Sequence, residues 1–163
     1  MASPMGLFSL LDNAVRHFLP TRLSPGATSP GILALAAVLI HIARADGVIV
    51  KPEHDYLIAL LVDHFGLLPG QARLLLEEAE AADRDAIGLV SLLRPLRREL
   101  DRDERKRLIR AAWGVARADG VVHSFEEDMI WRSARLLDLS ENEIASLREE
   151  ELFVLERSSV PAN

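Results

Sequence analysis

The chain has 163 residues, 49% of them hydrophobic, which is enough for one domain to bury a core and argues against overall disorder. Its net charge of −6 disfavours a general nucleic-acid binder, and its lack of cysteine excludes disulfides, thiolate metal sites and a cysteine nucleophile. Residues that favour helices dominate the composition, so we predict an all-α bundle of about seven or eight helices. No signal peptide or membrane-spanning stretch is evident, and a cytoplasmic location is expected.

The N-terminal part of the chain is predicted to be separate from the main domain. Residues 1–20 are predicted to contain an amphipathic helix, because apolar side chains recur there at helical spacing. Its apolar stripe consists of Leu7, Leu11, Val15 and Phe18. Residues 21–31 are rich in Pro, Gly, Ser and Thr and are predicted to be a linker. The helical domain is predicted over residues 32–156, and a disordered tail over residues 157–163.

Proline and glycine mark the first predicted helices of the domain. One helix begins at Ser29-Pro30 and is stopped by Gly47, and the next two begin near Pro52 and Pro69. A fourth helix over about residues 85–99 contains Pro95, which predicts a kink or a shortened helix.

Capping boxes predict where the last three helices begin. In such a box a side chain just before the helix and a glutamate three residues later satisfy each other's backbone N–H groups. The three pairs are Asp101 with Glu104, Ser124 with Glu127, and Ser140 with Glu143.

One segment of the sequence occurs twice at a constant offset. ARADGVI at residues 43–49 recurs as ARADGVV at residues 116–122, and a glutamate follows each aspartate by seven positions. These acidic positions are Asp46 and Glu53 in the first copy, and Asp119 and Glu126 in the second. We interpret the pattern as an internal duplication of a helix–acidic turn–helix unit. Duplicated helical units usually pack about a pseudo-two-fold axis, so we expect the two turns to lie near each other.

The four acidic residues admit two interpretations. In the first, each aspartate accepts backbone N–H groups of its own turn, such as those of Val48 or Ile49, and each glutamate stabilises the positive end of a helix. In the second, the four carboxylates meet and bind Ca²⁺, Mg²⁺ or Mn²⁺, whose preferred ligands are oxygen atoms. The apolar residues after each glycine exclude a calcium EF-hand. The residues alone leave both interpretations open.

The segments ARADGVIVKPEHDYL and ARADGVVHSFEEDMI resemble the two signature segments of the TerB-like (tellurite-resistance protein B) family, over roughly residues 30–150. The resemblance implies an all-helical fold and an association with tellurite and other chemical stress. It also implies a divalent-metal site at the acidic turns, with Asp46, Glu53, Asp119 and Glu126 as the ligands.

Other candidate residues have simpler structural explanations. His54-Asp55 matches the dipeptide of HD-type phosphohydrolases, but no partner histidines stand at suitable spacing. His41 lies inside an apolar helix and is interpreted as a core histidine with a polar partner. His123, four residues after Asp119, is either an auxiliary ligand or a surface-loop residue. No recognised catalytic motif occurs, so we do not expect an enzyme.

The predicted function is that of a non-enzymatic cytoplasmic module that binds a divalent metal ion through its acidic turns and couples the ion to protein partners. The alternative is a metal-free interaction adaptor whose acidic turns only cap helices. A protein partner or self-association is expected, and nucleic acid is not. Membrane contact through the N-terminal helix is less favoured, because that helix offers only Arg16 and His17 as basic side chains.

Overall fold

The computed structural model describes residues 30–158, and it contains seven α-helices and no strand in that range. The helices are α1 (Pro30–Ala43), α2 (Lys51–Phe65), α3 (Pro69–Asp85), α4 (Leu89–Glu99), α5 (Arg102–Ala116), α6 (Ser124–Leu136) and α7 (Glu141–Ser158). The predicted all-α bundle is therefore confirmed. The predicted helix at residues 1–20 and the chain up to residue 29 lie outside the described residues, as do residues 159–163 of the predicted tail.

Helix α1 lies at the centre of the bundle. Its sequence is apolar on all sides, and a helix of that kind is stable only when neighbouring elements surround it. It packs against α3, α4, α5 and α6. Most of its large apolar side chains are at most 1% exposed, among them Ile32, Leu35, Leu39 and Ile42. The acidic turn that begins at Asp46 follows the end of this helix.

Helix α5 is the second central helix, and it packs against α1, α2, α6 and α7. Trp113 is buried in its last turn. The next residue, Gly114, lies against the hydroxyl end of the Tyr56 side chain from α2. The second acidic turn, which contains Asp119, follows the end of α5, so both turns begin where a buried central helix ends.

Two of the three predicted capping boxes are present. Asp101 and Glu104 exchange hydrogen bonds with each other's backbone, as do Ser140 and Glu143.

The third capping box was predicted wrongly. Helix α6 is capped one residue earlier than expected, at His123, whose N–H donates to Glu126 Oε2 (3.1 Å). Glu127 instead accepts a hydrogen bond from Arg148 of α7 (2.7 Å). The reason is burial: Glu126 points into the bundle and satisfies the first free N–H of the helix, whereas Glu127 lies on the side that faces α7.

Helix α4 is shorter than the predicted helix over residues 85–99, because it begins at Leu89 after the left-handed Gly88. It continues through Pro95, which lies on its exposed side. Within residues 30–158 no helix is both long enough and apolar enough to cross a membrane.

Candidate metal centre

The two acidic turns form the same hydrogen bond in each copy. Asp46 Oδ1 accepts the N–H of Val48 (3.3 Å), and Asp119 Oδ1 accepts the N–H of Val121 (2.9 Å). Each aspartate therefore stabilises its own turn, as the first interpretation of the sequence predicted. This bond uses one oxygen of each carboxylate, and the second oxygen, Oδ2, is left for other contacts.

The two glutamates also use one oxygen each to cap a helix. Glu53 Oε2 accepts the N–H of Val50 (3.0 Å) at the start of α2, and Glu126 Oε2 makes the equivalent bond at the start of α6. Unlike the aspartates, both glutamates are buried: Glu53 is 1% exposed and Glu126 is not exposed at all. They form the floor of the site.

The carboxyl groups of Glu53 and Glu126 lie within hydrogen-bonding contact of each other. When both are ionised, both can only accept hydrogen bonds, and Glu126 Oε1 then has no partner although it is fully buried. An unpaired buried charge is costly, so the pair favours a shared proton or a bound cation.

The pKa values of these glutamates follow from that environment. Burial is the main cause that raises the pKa of Glu126 to about 8, and the charge of Glu53 raises it further. Burial also raises the pKa of Glu53 above its ordinary value, and the nearby charges of Asp119 and Asp46 act in the same direction.

His123 joins the two turns at the opening of the site. Its Nε2 atom lies 3.7 Å from Asp46 Oδ2 and 3.8 Å from Asp119 Oδ2. The side chains of the two aspartates are 25% and 20% exposed, and that of His123 is 42% exposed. The site therefore has a buried floor made of glutamates and a solvent-facing opening made of two aspartates and a histidine.

Three donor atoms meet closely enough to bind one cation. One donor atom each from Asp46, His123 and Glu126 lie within 4.8 Å of one another. Donors on opposite sides of a Ca²⁺ ion are about 4.6–5.2 Å apart, because each Ca–O bond is about 2.3–2.6 Å long. The other two carboxylates adjoin this group. Glu53 contacts Glu126, and Asp119 lies next to His123.

The structure thus brings the four sequence-predicted ligands to one place and adds His123. The repeat did not reveal this histidine, because its counterpart in the first copy is Val50, which has no ligand atom in its side chain. Its spacing of four residues from Asp119 had instead predicted either an auxiliary ligand or a surface-loop residue. Whether these residues bind metal remains a prediction.

The arginine before each acidic turn is anchored by a carboxylate from a neighbouring helix. Arg44 Nη1 lies 3.3 Å from Asp83 Oδ2 on α3, and Arg117 forms an ion pair with Glu151 on α7. The side chains of Arg117 and Glu151 are 12% and 9% exposed, so this second pair is buried. These contacts hold the backbone in place two residues before each aspartate. The sequence did not predict this role for either arginine.

The other candidate histidines lie outside the centre. His41 Nδ1 is 2.6 Å from Asp83 Oδ1, which agrees with a partly buried histidine that has a polar partner. Asp55 of the His54-Asp55 pair is exposed and contacts Lys51 (2.5 Å) on its own helix. Within the described residues, neither His54 nor Asp55 belongs to a group of side chains that could hold a metal ion.

Comparison with known proteins agrees with this arrangement of helices and turns. The sequence profile of the family described as tellurite resistance protein TerB matches residues 32–149, a range that includes both acidic turns. No curated protein and no solved structure gives a significant match. Because the matched range covers well over half of the chain, and because it contains both signature segments, the chain belongs to the TerB family of tellurite resistance proteins.

Proposed function

We propose that this protein is a non-enzymatic, cytoplasmic module that binds one divalent metal ion between its two acidic turns and serves the response to tellurite or related chemical stress. The stress association rests on membership of the TerB family. The metal proposal rests on the chemistry of the site.

One observation carries the metal proposal: Glu126 Oε1 is fully buried and has no hydrogen-bond partner, and the Glu126 carboxylate belongs to a group of residues whose ligand atoms lie within 4.8 Å of one another. Helix capping accounts for Glu126 Oε2 but leaves Oε1 without a role. A cation at this point would neutralise the Glu126 carboxylate and would allow Glu53 to be ionised beside it.

The donor set favours Mn²⁺ among the three ions considered. Carboxylates suit Mg²⁺, Ca²⁺ and Mn²⁺ alike, whereas an imidazole ligand suits the transition metals better than Ca²⁺ or Mg²⁺. In this proposal Asp46, Glu126 and His123 hold the ion directly. Glu53 and Asp119 complete the site or keep it negatively charged.

Thermal unfolding of chelated and dialysed protein tests the proposal. Mn²⁺ at about 100 times its Kd should stabilise the fold by about 2.7 kcal/mol, because it binds only the native state. For a domain of this size that corresponds to a rise in Tm of roughly 5–10 °C. The double substitution Asp46→Asn and Asp119→Asn should remove most of this rise, because it removes two negative charges while it keeps the turn oxygens.

A matched control uses the aspartates that also occupy equivalent positions in the two copies but lie outside the site. Asp55 and Asp128 are exposed, and each pairs with a basic residue on its own helix. The double substitution Asp55→Asn and Asp128→Asn should leave the Mn²⁺ response unchanged. If Mn²⁺, Ca²⁺ and Mg²⁺ all leave the Tm of the wild-type protein unchanged, the metal proposal is wrong.

That negative result would favour the alternative, a metal-free interaction adaptor. Its supporting observation is that all four carboxylates already cap backbone N–H groups. In the adaptor, Glu53 and Glu126 share a proton, and the turns have a structural role only.

A further inference from the structure

Helix α7 is bound to the chain on both sides of the second acidic turn. Before the turn, Arg117 at the end of α5 forms an ion pair with Glu151 of α7. After the turn, Glu127 in the first turn of α6 accepts a hydrogen bond from Arg148 Nε of α7 (2.7 Å). We call these two contacts the α7 anchors. Arg148 and Glu151 are three positions apart, so one face of α7 joins the end of α5 to the start of α6.

The segment between the two anchors carries most of the metal centre. It runs from residue 117 to residue 127 and contains Asp119, His123 and Glu126. His123 and Glu126 are two of the three residues whose ligand atoms lie within 4.8 Å of one another. Residues 117–123 lie between two helices and lack the continuous hydrogen bonds of a helix, so their geometry depends on how the two helix ends are held.

Tyr56 of α2 meets the first of these anchors. Its hydroxyl group lies within hydrogen-bonding contact of the Arg117 side chain, and the charge of Glu151 also acts on it. Tyr56 stands three residues after Glu53, the buried glutamate of the first copy. The anchor therefore links α7 to both helices on which it rests, α5 before the second turn and α2 after the first.

We propose that α7 positions the second acidic turn for metal binding, so that docking of α7 and binding of the ion are coupled. Arg148 and Glu151 are positioning residues in this role, because they act through Glu127 and Arg117 rather than on the ion. The coupling rests on the metal centre proposed above. It is reciprocal: if docked α7 raises the affinity for the ion, a bound ion stabilises the docking of α7 to the same extent.

The charge of Arg148 separates positioning from simple electrostatics. Arg148 binds the residue next to Glu126, and a positive charge near a cation site opposes binding of a divalent ion. By charge alone, removal of Arg148 would therefore tighten metal binding. If Arg148 positions Glu126 through Glu127, its removal must weaken binding instead. The two explanations predict opposite signs for the change in Kd.

Isothermal titration calorimetry with Mn²⁺ on the chelated and dialysed full chain measures that sign. Arg148→Gln should raise the Kd about 10-fold, as is usual when a residue that orients a metal ligand is removed. Ile144 and Leu147 are buried and keep the apolar contacts of α7 in this variant. Arg148→Lys should retain most of the affinity, because the bond to Glu127 uses one nitrogen and an ammonium group can also donate it.

Arg102→Gln is the matched control. Arg102 also binds α7, through Glu143 (2.6 Å), but it begins α5, and the 15 residues of that helix place it about 22 Å from the end that leads into the turn. The variant loses one positive charge and one ion pair with α7, as Arg148→Gln does. Its Kd for Mn²⁺ should change by less than about 2-fold, because charges that far apart are screened.

Hydrogen exchange measures the coupling in the other direction. Saturating Mn²⁺ should slow amide exchange of residues 148–151 in the wild-type protein and should slow it much less in Arg148→Gln. No slowing there in a wild-type protein that binds Mn²⁺ would contradict the coupling.

The calorimetric outcomes distinguish this inference from the metal proposal. A wild-type protein that binds Mn²⁺, with a Kd that Arg148→Gln leaves unchanged or lowers, overturns the role of α7 and leaves the metal centre intact. Equal losses of affinity in Arg148→Gln and Arg102→Gln also overturn it, because general loosening of α7 would then explain both. A wild-type protein that binds none of Mn²⁺, Ca²⁺ and Mg²⁺ overturns both proposals.

Discussion

His123 Nε2 lies 3.7 Å from Asp46 Oδ2, and this contact joins the second acidic turn to the first. The two residues are 77 positions apart in the chain and belong to different copies of the repeated segment. Their proximity follows from the packing of α1 against α5, since each of these buried helices ends at one of the turns. It also places a nitrogen ligand among the carboxylates, and this ligand favours Mn²⁺ over Ca²⁺ and Mg²⁺ in the proposed site.

Replacement of His123 by glutamine should change which ion the site prefers. The substitution removes the imidazole nitrogen, so Mn²⁺ should bind about 10–100-fold more weakly, whereas Ca²⁺, which prefers oxygen ligands, should change much less. Isothermal titration calorimetry with each ion measures the two effects. His54→Gln is the control, because His54 stands next to Glu53 in sequence but is not among the grouped donors. Equal losses for both ions would contradict a direct role of the imidazole.

The stability of the chelated protein should depend on pH through Glu126. Its pKa is raised from 4.5 to about 8 in the folded state, so between these values the folded protein holds a proton that the unfolded chain has released. Stability must therefore fall as the pH rises from about 5 to about 8 and then level off, by roughly 1.4 kcal/mol for each unit of raised pKa.

Thermal unfolding at pH 5.5 and pH 8.5 in the presence of EDTA measures this effect. We expect a lower Tm at pH 8.5 for the wild-type protein and a much smaller difference for Glu126→Gln, which imitates the protonated carboxyl group. Glu127→Gln is the control, since Glu127 binds Arg148 outside the site. A wild-type Tm that rises between these two pH values would show that Glu126 does not hold a proton in the folded state.

The repeated sequence located the four acidic residues, because a pattern present in both copies singles out the positions that they share. It could not locate His123, whose counterpart is Val50. It also could not show that each carboxylate has two uses. The sequence presented capping and metal binding as alternatives, whereas the structure assigns one oxygen of each residue to the backbone and leaves the other oxygen of Asp46, Asp119 and Glu126 to the centre.

The helix order and the buried α1 were predictable because apolar periodicity and helix-stop residues are local signals. The partners of Arg44 and Arg117 were not, because Asp83 and Glu151 lie 39 and 34 residues further along the chain. Such pairs depend on how helices pack, and a single sequence does not encode that in any local pattern. The start of α6 was placed wrongly for the same reason, since the burial of Glu126 is a tertiary property.

Removal of one charge from the buried Arg117–Glu151 pair should strongly destabilise the fold. Glu151→Gln leaves the Arg117 guanidinium buried without a counter-charge, so we expect a loss of about 3–5 kcal/mol in the free energy of unfolding. The double substitution Arg117→Met and Glu151→Leu removes both charges and should cost less than either single change. Urea unfolding of the wild type, Arg117→Met, Glu151→Leu and the double variant forms a double-mutant cycle that measures the coupling.

The control for that cycle is the exposed pair Asp128–Arg132 on α6, whose side chains are 56% and 65% exposed. An exposed pair of this kind usually contributes about 0–1 kcal/mol. If Glu151→Gln costs no more than Asp128→Asn, the buried pair does not anchor α7 to the end of α5.

Gly114 should not tolerate alanine, although it lies within a helix where alanine is normally the more stable residue by about 0.5–1 kcal/mol. A Cβ atom at this position would lie 2.1 Å from the hydroxyl oxygen of Tyr56 and 2.7 Å from the ring carbon that bears it. The Tyr56 ring would have to move, and it lies beside the Arg117–Glu151 pair: burial raises the pKa of Tyr56 to about 12, and the charge of Arg117 lowers it while that of Glu151 raises it. We therefore expect Gly114→Ala to destabilise the fold by about 1–3 kcal/mol.

Gly70→Ala is the matched control. Gly70 lies in α3, and a Cβ added there would have no atom within 4 Å, so the substitution should be neutral or slightly stabilising. Urea unfolding of both variants decides the point, and a Gly114→Ala protein as stable as the wild type would mean that Tyr56 does not pack on α5 in this way.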